Sequence, residues 1–273
     1  MRDFVNHQLT HIWLKQPGLS RNDCKKILQL QDGKGDIRTW AKVINRDLSN
    51  LCRKCHSTWE IVGHVLVACK KIPFALLKSR HDGVVLQIAN EIIRRRGLGD
   101  KLKLSDMGRR IEKNSDSFQL VLDQRLWVEG MEGKPHSLLP DIIAIDHASR
   151  RVELLEVAVP AEDLIKSREE EKSGKYLDLI PVLRNQYPGF EVKVRAFIIG
   201  QLGVISKRST QSLIHFLKRS CKQQVTSWAN KPKRIRTINH LVGKIQNVGL
   251  KGSLVIYSWL RGPAEIVSCR SGI

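Results

Sequence analysis

Two groups of residues in this chain have the types and spacing to do chemistry. The first is Cys52-Arg53-Lys54-Cys55 followed by His64 and Cys69, a C-x2-C-x8-H-x4-C arrangement. Three thiolates and one imidazole make a closed tetrahedral zinc set with no coordination position left for a substrate, so the expected role is structural. In so short a segment zinc takes the place of a hydrophobic core. His56 offers an alternative nitrogen, but one residue after Cys55 it makes a cramped chelate, and His64 is preferred. The plain alternative is three buried thiols beside an unrelated histidine. Arg53, Lys54, Lys70 and Lys71 flank the unit and suit phosphate contacts. Cys24, Cys221 and Cys269 carry no such pattern.

The second group is carboxylate. Asp141–Asp146 and Arg151–Val159 read as two β-branched, apolar strands around the loop 147–150. A four-residue hairpin loop pairs Asp146 with Arg151 and sets Asp141 directly opposite Glu156. Opposed residues of an antiparallel pair share a face with Cβ atoms about 4.5–5.5 Å apart. Two carboxylates so placed repel unless a cation lies between them. Magnesium, bound by one or two carboxylates plus waters and phosphate oxygens, fits. Glu153 has the opposite parity and points to the other face. Lys172 and Lys175 follow on a helix with Tyr176 beside them; a lysine near a metal-bound water orients it and stabilises charge on an attacked phosphate. Two plainer outcomes stand against this: Glu169-Glu170-Glu171-Lys172 as an ordinary solvated face, and a bulge that shifts the register by one.

These groups need elements to hold them. Residues 1–48 read as a helical lead-in or linker broken at Pro17-Gly18 and Gly33-Lys34-Gly35, with Asp23 as a helix cap. A zinc knuckle over 49–72 follows. Apolar spacing predicts a helix from His81 to Arg96 that closes on Gly97. Phe118–Trp127 and Glu191–Ile199 read as strands, and Asp163–Tyr187 as a helix weakened at Gly174 and restarted near Pro181. Residues 209–221 read as helix. The expected fold is α/β, a mixed sheet flanked by helices over 78–225. Residues 226–273 read as a basic tail without clear periodicity.

The 273 residues carry 47 Lys+Arg against 27 Asp+Glu, a net charge of +20. Residues 140–180 hold 6 Lys+Arg and 10 Asp+Glu, whereas 201–273 hold 13 and 1. Basic ends suit a phosphate backbone, and an acidic island between them asks for a metal. The run Lys231-Pro232-Lys233-Arg234-Ile235-Arg236 is a candidate phosphate contact through Lys231, Lys233, Arg234 and Arg236, or a nuclear-import signal. With no secretory start and no apolar run of about 18 residues, the expectation is a soluble intracellular chain with no membrane partner.

The two units in this order resemble the C-terminal part of polyproteins of site-specific non-LTR retrotransposons of the R-two clade. The resemblance rests on Cys52…Cys69, Arg80-His81-Asp82, Pro140-Asp141, Glu156 and Lys172-x-x-Lys175-Tyr176, and runs from about residue 40 to about 205. It implies a restriction-like endonuclease of the PD-(D/E)xK type preceded by the CCHC knuckle. Asp141 stands for the motif's aspartate and Glu156 for its second acid. The simplest motif has its lysine two residues after that acid, where this chain has Ala158. In the family the lysine is displaced onto the following helix, and Lys172 matches it, with Lys175 and Tyr176 completing the local motif. Arg80 and His81 are implied to contact nucleic acid. The implied activity is a magnesium-dependent nick in target DNA that leaves a 3′-hydroxyl to prime reverse transcription, in the nucleus, with the element's RNA as a further possible ligand. No Tyr/Phe-x-Asp-Asp sequence occurs here, so a polymerase domain is expected in cis in a full-length polyprotein. The competing readings are a catalytically inactive nucleic-acid-binding fragment of a truncated element and a decayed remnant with no selected function.

Overall fold

The two strands around the acidic island, β5 (Ile142–Asp146) and β6 (Arg151–Ala158), are apolar on both faces. Such strands belong in the middle of a sheet covered on both sides. The computed structural model, which describes residues 4–44, 49–129, 135–221 and 231–262, places them there. With β1 (Ile111–Ser115), β2 (Phe118–Leu122) and β7 (Glu191–Ile198) they form a five-stranded sheet in the order β1-β2-β5-β6-β7. Neighbours are antiparallel except β6 and β7, which run parallel. The protein is therefore a mixed α/β fold. A separate two-stranded ribbon joins β3 (Leu126–Glu129) to β4 (Pro135–Leu138).

Eight α-helices are described: α1 (His7–Thr10), α2 (Arg21–Gln31), α3 (Arg38–Ile44), α4 (Phe74–Arg96), α5 (Ile165–Lys175), α6 (Leu179–Gln186), α7 (Lys207–Ser220) and α8 (Lys231–Arg261). One sheet face buries Leu155 and Val157 of β6 against Val84, Ile88 and Ile92 of α4 and Phe216 of α7. The other buries Val152 and Leu154 with Tyr176 and with Leu179 and Leu183 of α6. Alternate residues of one strand thus feed two cores, as the period of a strand requires.

Several expectations shift. The stretch Phe118–Trp127 breaks at Asp123, whose φ is 52° and whose Oδ2 accepts from Gly108 N at 3.0 Å. The helix expected from His81 begins at Phe74 and ends, as the spacing indicated, on a left-handed Gly97. The long helix over 163–187 is two, separated at 176–178, with Pro181 in the first turns of α6, where it costs no hydrogen bond. Ser20, not Asp23, is the N-cap of α2, and Asp23 completes a capping box.

The largest difference lies at the ends of the chain. Much of the supposed tail is the 31-residue helix α8. The supposed lead-in is not a linker either. Trp13, Ile27, Leu30 and Ile37 share a core with Cys52, Leu66 and Cys69 of the knuckle and with Leu254, Ile256, Tyr257 and Leu260 of α8. The close crossing of α4 and α8 needs glycine: a Cβ on Gly252 would lie 2.6 Å from Arg80 Cβ, and one on Gly83 2.6 Å from Val248 Cγ1. Among the described residues no helix is long and apolar enough to cross a membrane.

Candidate functional site

The cysteine–histidine unit is built by two tight pieces of backbone. Cys52 N donates to Thr58 O (2.8 Å) and His56 N to Cys52 O (2.9 Å), with His56 at φ 54°, so Cys52 and Cys55 turn to one side. The second piece answers the H-x4-C spacing. Five residues are more than one α-turn, but His64–Ala68 is a π-helical turn whose i+5 bond, Cys69 N to His64 O at 2.7 Å, brings both side chains to the same side. The four ligand atoms lie within 4.8 Å of one another. Cys52 Sγ is 3.9 Å from Cys69 Sγ, and Cys55 Sγ is 3.3 Å from His64 Nε2. Two sulfurs bound to a tetrahedral zinc stand roughly 3.8 Å apart, and sulfur and nitrogen roughly 3.6 Å. The donor set fits zinc. Exposed His56 is not part of it. Among the described residues no other group of three or more His, Cys, Asp or Glu side chains converges in this way.

Around the cluster the basic residues divide. Arg53, expected at a phosphate, is spent on protein: it reaches Glu60, which is fully buried, at 2.7 Å and Asp36 at 3.1 Å. Glu60 also takes the backbone N–H groups of Arg53 and Arg38. Lys54 lies over the Trp259 ring at 5.1 Å. Lys70 and Lys71 are exposed, and so is Trp59. The buttress Glu60 was missed in the sequence; it is the sole carboxylate between Asp47 and Asp82, which was a usable signal.

The acidic island keeps the expected register, with Asp146 opposite Arg151 and Ile142 opposite Leu155. Asp141 stands one residue before β5, and its Oδ2 accepts from Val157 N at 2.7 Å. Glu156 is buried on β6. Its Oε1 pairs with Lys172 Nζ at 2.5 Å, with Lys175 Nζ farther off at 3.9 Å. Its Oε2 is buried and without a hydrogen-bond partner among the described residues. Burial raises the Glu156 pKa, the Asp141 charge raises it further, and Lys172 and then the nearby Tyr176 hydroxyl oppose both. Tyr176 is buried; its hydroxyl donates to Leu139 O (3.0 Å) and receives Lys175 Nζ (3.1 Å). Burial and the Glu156 charge push that phenol well above its ordinary range. Asp141, Glu156, Lys172, Lys175 and Tyr176 therefore lie together, Glu156 on β6, the two lysines on α5, Tyr176 just after that helix and Asp141 just before β5.

What holds Lys172 in place is Glu169, one turn earlier. It is buried rather than solvated, and the hydroxyls of Ser206 and Ser209 at the start of α7 donate to it. Ile165 seats the same helix against Ala196 and Ile198 of β7. Gly174 does not break α5, which runs to Lys175. Glu153 faces the other way, to Arg195 and Arg219.

Two residues expected on nucleic acid are placed differently. Arg80 is 3% exposed and gives its donors to Leu66 O, Ser253 Oγ and Val159 O, tying the knuckle, α8 and the sheet together. No phosphate reaches it there. His81 sits with Nε2 3.4 Å from Asp141 Oδ2 and Nδ1 3.1 Å from Asp82 Oδ1, and Lys78 holds Asp82 at 2.5 Å. Burial lowers the His81 pKa, but the two carboxylates overcome this and carry it up to about 10. Nothing in the local sequence assigns His81 to Asp141; only the fold does. Arg236 is exposed. The side chains of Lys231, Lys233 and Arg234 lie outside the described residues.

No family model matches the chain, and no curated protein matches it. Among solved structures it is similar to an N-terminal domain of a reptarenavirus L protein, at 14% identity over 67% of this chain and 97% of that one. The TM-score is 0.23, an overlap too small to assign a fold.

Proposed function

We propose that the chain is a metal-dependent DNA endonuclease with a restriction-like PD-(D/E)xK core, the C-terminal part of a non-LTR retrotransposon polyprotein. The observation that carries this reading is the joining of Asp141, Glu156 and Lys172 where β5 begins beside the C-terminal half of β6, with Glu156 Oε2 left without a hydrogen-bond partner. Two carboxylates and an open oxygen fit Mg2+, which takes few protein ligands and completes its shell with water and phosphate oxygens. When bound, the metal polarises the scissile phosphate and acidifies its water. Asp141 and Glu156 would hold it; Val157 N–H and His81 fix Asp141. Lys172 keeps Glu156 ionised in a buried site and presents a cation to the charge that builds on the attacked phosphate. Lys175, held by the Tyr176 hydroxyl that itself rests on the Leu139 carbonyl, adds a second cation near Glu156. The zinc knuckle stiffens the adjoining surface on which nucleic acid binds. In this reading the nick supplies a 3′-hydroxyl primer in the nucleus, DNA is the target, the element's RNA is a further ligand, and a polymerase domain acts in cis.

Zinc-loaded protein incubated with supercoiled plasmid is expected to nick it in magnesium and not without, and Asp141→Ala and Lys172→Ala to abolish nicking. Nicking at the wild-type rate by Asp141→Ala overturns the assignment. A second reading, a nucleic-acid-binding fragment without catalysis, is favoured by the closed Lys172–Glu156 pair and the charge of +20. It predicts plasmid binding that both variants keep, steeply weakened by salt, and no nicking by the wild type.

A further inference from the structure

Beside the zinc cluster, and separate from the carboxylates, α2, α3 and the end of α8 line an open groove of about 590 Å³. Its lining follows from the sequence. On α2, Asn22, Lys25, Lys26 and Gln29 recur at i, i+3, i+4 and i+7 and so form one face. The turn Gly33-Lys34-Gly35, with both glycines at positive φ, brings Lys34 back over that face. Trp40 of α3 forms one wall, partly exposed, with Lys34 Nζ 5.9 Å from its ring centre. Tyr257 forms the buried floor, its hydroxyl taking Asp36 N–H at 2.8 Å.

The charge is one-sided. Lys25, Lys26, Lys34 and Arg261 line the groove against one carboxylate, Asp36, and Lys34 also pairs with exposed Asp32 at 3.7 Å. Asp36 is already engaged by Arg53 and Arg261, and hydrogen bonding to Arg53, against burial, holds its pKa below the ordinary carboxylate value. Among the described residues neither Lys25 nor Lys26 has a carboxylate partner. A partly open indole edged by lysines matches a base with its phosphates, the combination by which single strands are held without sequence preference. Arg53 links the wall rigidly to the knuckle, because it bridges Asp36 to Glu60.

The geometry points to this groove as a binding site for single-stranded nucleic acid, with a base stacked on Trp40 and the flanking phosphates on Lys25, Lys26 and Lys34. The site extends the nucleic-acid reading above and rests on its binding half alone, not on cleavage.

The test is fluorescence polarisation of labelled oligo(dT) with zinc-loaded full-length protein in magnesium-free buffer. Trp40→Ala is expected to weaken binding about tenfold, and Trp40→Phe to restore most of it. The double variant Lys25→Ala/Lys26→Ala is expected to lower the slope of log affinity against log salt by about 1.4, close to 0.7 for each phosphate released. Affinity within about twofold of wild type in Trp40→Ala, or an unchanged salt slope in the lysine variant, overturns the site. If Trp40→Ala does not fold, Trp40→Phe and the lysine pair still decide it. Binding is read without magnesium, so its loss and a failure of plasmid nicking are separate results.

Discussion

Lys172 Nζ lies 2.5 Å from Glu156 Oε1, joining helix α5 to the strand β6 that precedes it. Glu156 is 4% exposed and sits beside the like charge of Asp141. The pair is what allows that glutamate to be ionised where it stands. Its other oxygen is buried without a hydrogen-bond partner among the described residues.

A thermal-unfolding cycle tests that dependence. Lys172→Met alone leaves Glu156 buried beside the Asp141 charge, with Lys175 the remaining cation at 3.9 Å, and is expected to cost about 3 kcal/mol or more. Lys172→Met with Glu156→Gln removes the charge as well and is expected to cost less than the single change. Additive losses would show that the two side chains do not depend on each other.

The zinc set makes a sharper discrimination between histidines. His64→Ala is expected to lose zinc and His56→Ala to keep it, read as metal per chain after dialysis. Cys52 and Cys69 lie in one core with Trp13, Ile27 and Leu254. A strong chelator is therefore expected to loosen the N-terminal helices and the end of α8 together, seen as faster amide exchange in both. Loss confined to residues 50–72 would contradict the shared core.

How much of this was legible beforehand depends on the range of each interaction. The Cys3His cluster was, because four metal-ligating side chains at short spacing constrain one another. The Asp141–Glu156 register was, because a four-residue loop fixes pairing and the strand period fixes the face. Helix α8 was not. Its buried positions Ile238, Leu241, Val242, Ile245, Leu250, Leu254 and Tyr257 do follow helical spacing, but Gly243, Gly249, Gly252, Gln246, Asn247 and Ser253 fall among them and read as polar breaks. They are there because α4 approaches closely and because a buried glutamine serves the neighbouring backbone. Arg53, Arg80 and Glu169 read as surface charge for the same reason: each is satisfied by a partner distant in the chain or across a fold interface.

Glu162 gives the protein a pH dependence of known sign. Burial raises its pKa, the Leu202 N–H and other donors oppose this, and the result is about 7 against an ordinary 4.5. A carboxyl with a raised folded pKa favours the folded state fully below about 4.5, and that stability is lost as pH rises through about 7. Glu162→Gln keeps the acceptor for Leu202 N and removes the charge. It is expected to raise stability at pH 8 by at most roughly 3 kcal/mol and to change little at pH 4.5. Equal melting temperatures for variant and wild type at pH 8 would show that this carboxyl is not strained by burial.

Gln246 is the test of whether the chain ends belong to the fold. It is fully buried on α8; its Nε2 donates to Leu9 O (2.9 Å), Thr10 O (2.9 Å) and Gly203 O (2.8 Å), and its Oε1 accepts from Trp13 N (3.1 Å). One side chain thus meets four backbone groups from two distant segments. Leucine at this position is no smaller, so Gln246→Leu opens no cavity, but it leaves Trp13 N, Thr10 O and Gly203 O without this partner, while Leu9 O keeps the His11 N–H. At about 1–3 kcal/mol for a buried group so orphaned, with some relief from rearrangement, a loss of at least about 3 kcal/mol is expected in denaturant unfolding. The same variant should free residues 5–16 to proteolysis ahead of the sheet. If it melts with the wild type, the N-terminal segment is held by its apolar contacts alone, and the joining of both chain ends through α8 is weaker than these hydrogen bonds imply.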